Sequence, residues 1–401
     1  MAKEKVDKSI EVVLKNLKGF MKKGSEIKDP TFVSTGHYKL DLAIAHGISP
    51  KDENADLSKI DLSNFGGLPM GKLVELAGAE GCGKSSLAYR VVGIAQQKNL
   101  KCLWIDAEHS YSKSLAKING VNTDELFVSE LIDTEDTEHM YCAEEIFDRI
   151  CDSIEAGFKV IILDSVANLT TKAEMENYIA DGGVGIGQLA QVLSKGLKKI
   201  IAYADKHDAL VIFINQLREK IGVLFGSNES TPGGRALKHL CSVRLKMNKL
   251  GGADSKIEKE EEQGFTKVIG GKVNVWIHKN RFGAPVTDAV EIPIYYTYHF
   301  PQMEEIIFDT ARALQVVRVY KGEYRWEDFS VAGKDNFISQ IKERGEFDNL
   351  ILSIHATAKE EKYPLPPEVL TYKVAQKEVE ENAKTERTEE TVSGRRKKKD
   401  T

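Results

Sequence analysis

The stretch that most constrains this chain is "KLVELAGAEGCGKSS", residues 72–86, where an apolar, strand-like run leads into a glycine-rich turn and then into helix-forming residues. It contains the spacing G-x-x-x-x-G-K-S, with Gly78, Gly81, Gly83, Lys84 and Ser85 at the defined positions. Glycines here allow backbone N–H groups to turn inward around phosphate oxygens, and the start of the following helix adds partial positive charge. The stretch therefore predicts a nucleotide phosphate-binding loop, with a chance glycine-rich turn as the alternative.

The chemistry of such a loop assigns a role to each polar side chain. Lys84 is expected to reach the β- and γ-phosphates, and the Ser85 hydroxyl is expected to ligate Mg²⁺. ATP and Mg²⁺ are therefore the predicted cofactors. The predicted cofactor-binding residues are Gly78, Ala79, Glu80, Gly81, Cys82, Gly83, Lys84, Ser85, Ser86 and Asp164.

Two further apolar runs end in carboxylates. In "KVIILDS" Asp164 lies at the tip of the run, where it is predicted to hold Mg²⁺ through a water molecule. "LWIDAEH" offers Asp106 and Glu108, either of which can orient or deprotonate an attacking water. The alternation of a strand puts both on one face, so the spacing does not choose between them. A structural capping role is an equal alternative for these carboxylates.

Apolar runs alternate with helical patterns from about residue 31 to 297. The runs are "KLVELAG" (72–78), "KCLWIDA" (101–107), "KVIILDS" (159–165), "ALVIFIN" (209–215), "SVRLKM" (242–247) and "VNVWIH" (273–278). Continuous apolar strands joined by helical crossovers are typical of a parallel sheet covered on both faces. The later runs have no long helices between them, which predicts antiparallel strands at the end. We therefore expect an α/β fold with a central, mostly parallel sheet flanked by helices.

The flanking segments differ in composition from this core. Residues 1–30 are predicted to hold an amphipathic helix whose apolar face packs on its own chain or on a neighbouring one. Residues 298–357 predict a small α/β domain, and residues 358–401 a charged tail that does not pack. Residues 48–66 are polar and aperiodic, as in a surface loop.

Composition limits the class of protein. The chain is 41% hydrophobic and 29% charged with a net charge of -5, so any nucleic-acid site must be a local patch. No apolar run approaches the length of a membrane span, and the N-terminus lacks a signal-peptide core. The five cysteines are scattered without zinc-site spacing, as expected of reduced thiols in a cytoplasmic protein.

Two segments have the character of binding loops. "FINQLREKIGVLFGSNESTPGGR", residues 213–235, leaves a buried strand and continues without a clear period, which is unusual for a connection between elements. "YIADGGVGIGQLAQ", residues 178–191, is too glycine-rich for a strand.

In combination these motifs resemble the RecA-type homologous recombinases of bacteria and phages. The resemblance also rests on "STGHYKLDLAIAHG", "VIILDSVANLTTKAEME", "GGRALK" and "HKNRFGAP", and it covers residues 31–297 most strongly. It implies a RecA-like P-loop ATPase core, preceded by an N-terminal oligomerisation helix. It also implies a DNA-dependent ATPase that forms a helical filament on single-stranded DNA and exchanges strands with a homologous duplex. Single-stranded-DNA-binding proteins and loader proteins are implied partners.

The resemblance also assigns the catalytic residues. Among the two carboxylates of "WIDAEH" it implies that Glu108 activates water, and that Gln216 at the tip of "FINQ" senses the γ-phosphate for the second loop. It implies that Lys279 and Arg281 of "HKNRFGAP" contact the γ-phosphate of a neighbouring subunit, as an arginine finger does. Without the family, a basic turn is the simpler interpretation of that segment.

The resemblance implies that segments 178–191 and 213–235 form two loops that surround single-stranded DNA, with cations and N–H groups on phosphates and apolar side chains beside bases. The predicted DNA-binding residues lie in and next to these two loops. They are Ile186, Lys198, Arg218, Ile221, Gly233, Gly234 and Arg235. For any single Lys or Arg in this set, a solvated surface charge is the alternative.

The chain departs from the family pattern at several positions. Leu115 replaces a tyrosine that stacks on adenine, Ser112 replaces an acidic adenine contact, and Tyr111 lies nearby but out of register. Gln191 replaces an arginine, and Arg235 replaces an asparagine and can restore the lost charge. The chain also has His239 in place of an interfacial phenylalanine, an insertion at 48–66, and the basic run 395–399 in place of an acidic tail.

Two other classes of function remain as alternatives. A hexameric helicase motor shares this core fold and phosphate chemistry, whereas the "FINQ"-to-"GGRALK" frame favours a recombinase. A non-catalytic module that keeps nucleotide as a structural ligand is disfavoured by Lys84, Ser85, Glu108 and Asp164.

Overall fold

The computed structural model describes residues 24–47, 66–136, 138–176, 187–219, 229–230, 232, 234–252, 255–260, 266–296 and 303–360. Two compact units are distinguished, residues 1–31 and residues 32–401. Of the first, the structure describes a short 3-10 helix at Gly24–Glu26. The predicted N-terminal helix before residue 24, the loop at 48–65 and the tail beyond residue 360 lie outside the described residues, and the predicted domain boundaries stay predictions.

The strands alternate with the helices along most of the second unit. In chain order the strands are β1 (Phe32–Val33), β2 (Leu68–Pro69), β3 (Leu73–Gly78), β4 (Cys102–Asp106), β5 (Phe127–Ser129), β6 (Val160–Asp164), β7 (Leu210–Gln216), β8 (Arg218–Glu219), β9 (Glu229–Ser230), β10 (Val243–Lys249), β11 (Lys256–Glu260), β12 (Thr266–Asn280), β13 (Val290–Tyr295), β14 (Arg318–Tyr320), β15 (Glu323–Trp326) and β16 (Phe329–Ala332).

The α-helices are α1 (Tyr38–His46), α2 (Lys84–Gln97), α3 (Lys113–Ile118), α4 (Ala143–Glu155), α5 (Lys172–Glu176), α6 (Gln188–His207), α7 (Ala236–Leu240), α8 (Met303–Ala313), α9 (Lys334–Glu343) and α10 (Phe347–Glu360). The sequence predicts helices at "SSLAYRVVGIAQQ" (85–97) and "IGQLAQVLSKGLKKIIAYADKH" (186–207). The corresponding helices, α2 and α6, begin and end within two residues of these patterns.

A nine-stranded sheet organises the core, in the order β11-β12-β10-β3-β7-β6-β4-β5, with β13 also paired to β12. The pairs from β10 through β3, β7, β6 and β4 to β5 are parallel. The pairs of β12 with β10, β11 and β13 are antiparallel. The expected α/β fold, including its antiparallel end, is therefore confirmed; β5, β11 and β13 are additions to the predicted strands.

The alternation of side chains along the strands creates two cores, one on each face of this sheet. Val74, Ile162 and Ile214 pack in one core with the apolar residues of α2. Leu73, Leu163 and Phe213 pack in the other core with residues of α4, α6 and α7. We call these the α2 face and the α6/α7 face. Residues of β3, β4, β6 and β7 with even numbers lie on the α2 face, and those with odd numbers on the α6/α7 face.

Residues 303–354 contribute a third apolar cluster. It is formed by α8, α9 and α10 with the antiparallel sheet β14-β15-β16. Within the small α/β domain, the sequence predicts a helix near "MEEIIFDTARAL", a strand-like run at "VVRVYKGEYRW" and a helix at "KDNFISQIKERG". These correspond to α8, to β14 and β15, and to α9, whereas β16 and α10 are not predicted. These two elements complete the cluster: Phe329 and Ile351 are both buried in it.

Candidate functional site

The predicted phosphate loop forms the connection between β3 and α2. Gly81 and Gly83 have φ angles of 68° and 86°, the left-handed region that favours glycine. A Cβ on Gly78 would lie 2.5 Å from Cys82 Sγ and 2.6 Å from the Met247 carbonyl oxygen, so a larger residue does not fit there. Lys84 begins α2 and donates from Nζ to the carbonyl oxygen of Ala79, 2.8 Å away, across the mouth of the loop.

The two predicted Mg²⁺-side residues meet. Ser85 Oγ donates to Asp164 Oδ2 over 2.7 Å, although the residues lie on different elements. Burial raises the pKa of Asp164 to about 6, the Ser85 hydrogen bond opposes this rise, and the nearby Glu108 and Asp106 charges add to it. A buried carboxylate that is costly to ionise and touches a hydroxyl suits a cation with oxygen ligands.

No group of three or more His, Cys, Asp or Glu side chains that could hold a metal ion occurs among the residues with described positions. This agrees with the way Mg²⁺ is usually held at nucleotide sites, through one or two protein oxygens together with the phosphates. Ser85 and Asp164 fit that requirement.

The two carboxylates of "WIDAEH" have different surroundings. Asp106, at the end of β4, accepts hydrogen bonds from the backbone N–H groups of Ser110 (3.1 Å) and Tyr111 (2.8 Å). Its side chain therefore caps the turn that follows the strand. Glu108 lies past the strand end and is half-buried. Among the described hydrogen bonds, the capping role therefore belongs to the Asp106 carboxylate and not to that of Glu108.

Glu108 contacts the predicted sensor. Its Oε1 accepts from Gln216 Nε2 at 2.7 Å and from Ser165 Oγ at 2.5 Å. Gln216 is the last residue of β7, and the next residue, Leu217, donates its backbone N–H to Gly78 O over 3.1 Å. The end of β7 is thereby joined to both the water-activating candidate and the start of the phosphate loop.

Residues 111–115, the segment expected near adenine, cap a helix and pack against the core. Ser112 caps α3, its Oγ accepting from the Leu115 N–H at 3.2 Å. Tyr111 packs edge-on against Tyr89, with ring centroids 5.9 Å apart, and against Trp104 at 6.4 Å. Tyr111 is therefore held in the α2-face core, and Leu115 packs against the same core.

The basic pair of "HKNRFGAP" is held by the end of α7. Lys279 Nζ donates to the carbonyl oxygens of Lys238 (2.9 Å) and His239 (2.8 Å), and Arg281 donates to the His239 carbonyl oxygen at 3.2 Å. Burial, followed by the neighbouring Arg281 charge, lowers the pKa of Lys279. These cations thus complete the last turn of a helix, and their described hydrogen bonds do not join them to Glu108 or Asp164.

The predicted DNA-binding residues are distributed around the second loop. Lys198 is exposed on α6, and Gly234 and Arg235 are exposed just before α7. Arg218 lies in β8, paired with Ser230 of β9. The remaining predicted positions, Ile186, Ile221 and Gly233, lie outside the described residues. Gln191 and His239, two of the departures from the family pattern, are exposed.

One cluster of buried polar side chains in the central sheet is not among the sequence predictions. Glu75, in the middle of β3, is fully buried and pairs with Arg244 of β10, whose Nε lies 2.5 Å from Glu75 Oε2. Asn215 donates from Nδ2 to Glu75 Oε1 over 3.0 Å. A carboxylate inside the apolar run "KLVELAG" is the signal that predicts a buried partner. The partner itself is 169 positions away and cannot be identified before the strand order is known.

A family model and individual known proteins are similar to most of this chain. The family model described as RecA N-terminal domain matches residues 6–300. Protein RecA of Deinococcus radiodurans is 34% identical over 358 residues, covering 87% of this chain and 88% of that protein. Protein RecA of Legionella pneumophila (strain Corby) is 36% identical over 317 residues, covering 79% and 80%. Within the described ranges, no helix is both long and apolar enough to span a membrane.

Proposed function

The chain belongs to the RecA family and is a RecA-type DNA recombinase, and from this premise we propose that it hydrolyses ATP in response to single-stranded DNA and forms a helical filament on it. The 2.7 Å hydrogen bond between Gln216 Nε2 and Glu108 Oε1 carries this proposal. It joins the residue that would activate water to the strand that continues into the second loop.

Phosphate binding would fall to the loop between β3 and α2. Lys84 would exchange its hydrogen bond with the Ala79 carbonyl for phosphate oxygens, and the loop N–H groups would bind the remaining oxygens. Ser85 and Asp164 would hold Mg²⁺, which supplies charge neutralisation on the phosphates when bound.

Water activation would fall to Glu108. Its carboxylate is half-buried, lies beyond the end of β4 and has Gln216 and Ser165 as donors that orient it. A γ-phosphate competing for the Gln216 amide would change this hydrogen bond, and the strand end would shift with it. That shift is the proposed signal between nucleotide and DNA.

Lys279 and Arg281 are proposed to act on the ATP of a neighbouring subunit. Their described partners within one chain are backbone carbonyls of α7, which leaves their charges without a carboxylate partner among those hydrogen bonds. A cation supplied across a subunit boundary would make hydrolysis depend on assembly.

The first experiment measures ATP hydrolysis by the full chain with and without single-stranded DNA, alongside electron micrographs with a non-hydrolysable ATP analogue. We expect strong stimulation by DNA and helical filaments. Closed rings that unwind a fork would instead indicate a helicase, and hydrolysis that DNA does not change would indicate a non-catalytic nucleotide-binding module.

A mixing experiment tests the contribution of the neighbouring subunit. Glu108→Gln and the double variant Lys279→Ala, Arg281→Ala are each assayed alone and then mixed. If the cations act in trans, some boundaries in mixed filaments join an intact Glu108 to an intact basic pair, and activity returns. If the cations act within one chain, the mixture stays as inactive as its components.

A further inference from the structure

Glu75 is a charged residue in a fully buried position. It has 0% exposure, and both of its carboxylate oxygens are engaged, Oε1 by Asn215 Nδ2 at 3.0 Å and Oε2 by Arg244 Nε at 2.5 Å. Burying an ionised carboxylate is unfavourable without such partners. The position would more simply hold an aliphatic residue, so the charge requires an explanation beyond packing.

The three residues lie on three adjacent strands and on one face of the sheet. The register places Arg244 opposite Glu75, and Asn215 opposite Ala77, two residues further along β3. All three point to the α6/α7 face, which is covered by the helices that follow the two candidate DNA loops. We call Glu75, Asn215 and Arg244 the strand-end triad.

The triad extends into the second loop through Asn215. Besides Glu75, its Nδ2 donates to the carbonyl oxygen of Pro232 at 3.3 Å. Because both partners of Nδ2 are acceptors, the orientation of the amide is fixed by its contacts. Pro232 lies two residues before Gly234 and three before Arg235, which are both exposed and immediately precede α7. We call Pro232, Gly234 and Arg235 the returning arm of the second loop, and this hydrogen bond holds it.

The opposite side of the same strand end faces the nucleotide site. Gln216 follows Asn215 directly, points to the α2 face and donates to Glu108. Neighbouring residues of one strand thus hold the loop arm on one face and the catalytic candidate on the other. The Asn215 Oδ1 atom is buried and has no hydrogen-bond partner within the residues the structure describes, which leaves an acceptor for an N–H of a repositioned arm.

We propose that the strand-end triad positions the returning arm of the second loop relative to Gln216, and that Glu75 sets how strongly single-stranded DNA stimulates hydrolysis at Glu108. This proposal rests on the DNA-stimulated hydrolysis proposed above. Glu75 is anchored by Arg244 on one side and holds the Asn215 amide on the other. When DNA displaces the arm, the hydrogen bond between Pro232 and Asn215 therefore moves the end of β7 as well.

The test is Glu75→Gln, which keeps the shape of the side chain and removes its charge. We expect the DNA-stimulated kcat to fall about tenfold, while the KM for ATP and the DNA-independent rate stay within about twofold of wild type. Rates are compared at a temperature at which thermal melting shows both proteins to be folded. A merely structural role would lower stimulated and unstimulated rates together.

Two further variants make the result decisive. Asn215→Ala keeps the pair of Glu75 with Arg244 and removes the hydrogen bonds of Asn215 with both Glu75 and Pro232. It should give the same selective loss, and it decides the question if Glu75→Gln does not fold. Asp205→Asn is the matched control. Asp205 pairs with Lys72, just before β3, in a largely exposed ion pair at 2.5 Å, and its loss should leave stimulation unchanged.

The outcomes separate this proposal from the one on which it rests. If wild type is stimulated by DNA and both Glu75→Gln and Asn215→Ala are stimulated equally well, the triad does not position the arm. A parallel fall in both rates also overturns the proposal. If wild type itself is not stimulated by DNA, the proposed function fails, independently of the triad.

Discussion

Each face of the central sheet holds a buried carboxylate, and the two carboxylates have opposite surroundings. On the α2 face, Asp164 touches a hydroxyl, lies near the Glu108 and Asp106 charges, and has a pKa raised to about 6. On the α6/α7 face, Glu75 is bound by a guanidinium and an amide. We propose that a ligand that brings positive charge completes the first arrangement, whereas Arg244 and Asn215 of the same chain already partner the carboxylate of the second. A buried acid thus indicates a binding site on one face and a structural connection on the other.

The largest expected effect comes from removing the cation of the α2 face. Lys84→Ala should lower ATP hydrolysis by about 1,000-fold or more, because Lys84 is the loop's own positive charge on the phosphates. Steady-state hydrolysis and equilibrium ATP binding measure this. Lys101→Ala, an exposed lysine just before β4, serves as the control. Activity close to wild type in Lys84→Ala would remove the phosphate loop from the site.

Removing the cation of the α6/α7 face should instead cost stability. Arg244→Met leaves the Glu75 carboxylate buried without its charge partner, which destabilises a protein by roughly 3–5 kcal/mol. Denaturant unfolding at pH 7 measures this loss. A change below about 1 kcal/mol would contradict the dependence of the buried Glu75 carboxylate on Arg244.

Removing Asp164, the acid of the α2 face, should instead increase the stability of the folded chain at neutral pH. The pKa of Asp164 rises from 3.8 to about 6 on folding, so wild type loses stability as the pH rises from about 4 through 6. Above that range Asp164→Asn should be more stable than wild type by up to about 3 kcal/mol. The gain should vanish below about pH 4, where both folded and unfolded chains are protonated.

Unfolding curves at several pH values without Mg²⁺ measure this difference. Asp148→Asn, in an exposed pair with Lys199, is the control and should change stability by less than about 1 kcal/mol. Equal stability of wild type and Asp164→Asn at pH 7 would contradict the cost assigned to the buried carboxylate.

Substitutions of the two acids of "WIDAEH" should affect different properties, ATP hydrolysis for Glu108 and stability for Asp106. Glu108→Gln should lower hydrolysis by about 100-fold with ATP still bound, and so prolong filaments. Asp106→Asn should keep most activity but lose roughly 1–3 kcal/mol of stability, because an amide serves the Ser110 and Tyr111 N–H groups less well. Hydrolysis rates and unfolding curves of both variants are needed, and the reverse pattern would exchange the two roles.

The smallest expected effect is at the outer end of the loop arm. Arg235→Ala should weaken binding of single-stranded DNA several-fold and reduce by about 1 the slope of log affinity against log salt. Fluorescence anisotropy at several salt concentrations measures the slope, with Lys101→Ala as the control. An unchanged slope would mean that the Arg235 charge does not meet a phosphate.

Local sequence pattern predicts the elements whose signal is continuous. The apolar runs of β6 and β7 and the helices α2 and α6 are found where expected, because burial of a strand on both faces requires a continuous run of apolar residues. β3 is also found where expected, although Glu75 interrupts its apolar run. β5 is not predicted, since it has three residues and Phe127 is exposed at the edge of the sheet. The pairing of Glu75 with Arg244 depends on strand order, which no local pattern contains.

The different surroundings of Asp106 and Glu108 could not be predicted from the local sequence pattern either. Both have the chemistry of a general base, and only the turn after β4 decides that the first is occupied by backbone N–H groups. The roles of the DNA-binding positions stay predictions, and three of them fall outside the described residues.

The buried aromatic stack beside the nucleotide site also makes an optical probe. Trp104 is fully buried and stacks on Tyr89 of α2, with ring centroids 4.1 Å apart, five residues after Lys84. The other two tryptophans are Trp276, which is 37% exposed, and Trp326, which is buried in the C-terminal cluster. Their emission should differ in wavelength and quenching. The intrinsic fluorescence of Trp104 should therefore follow movements of α2 on nucleotide binding without any attached label.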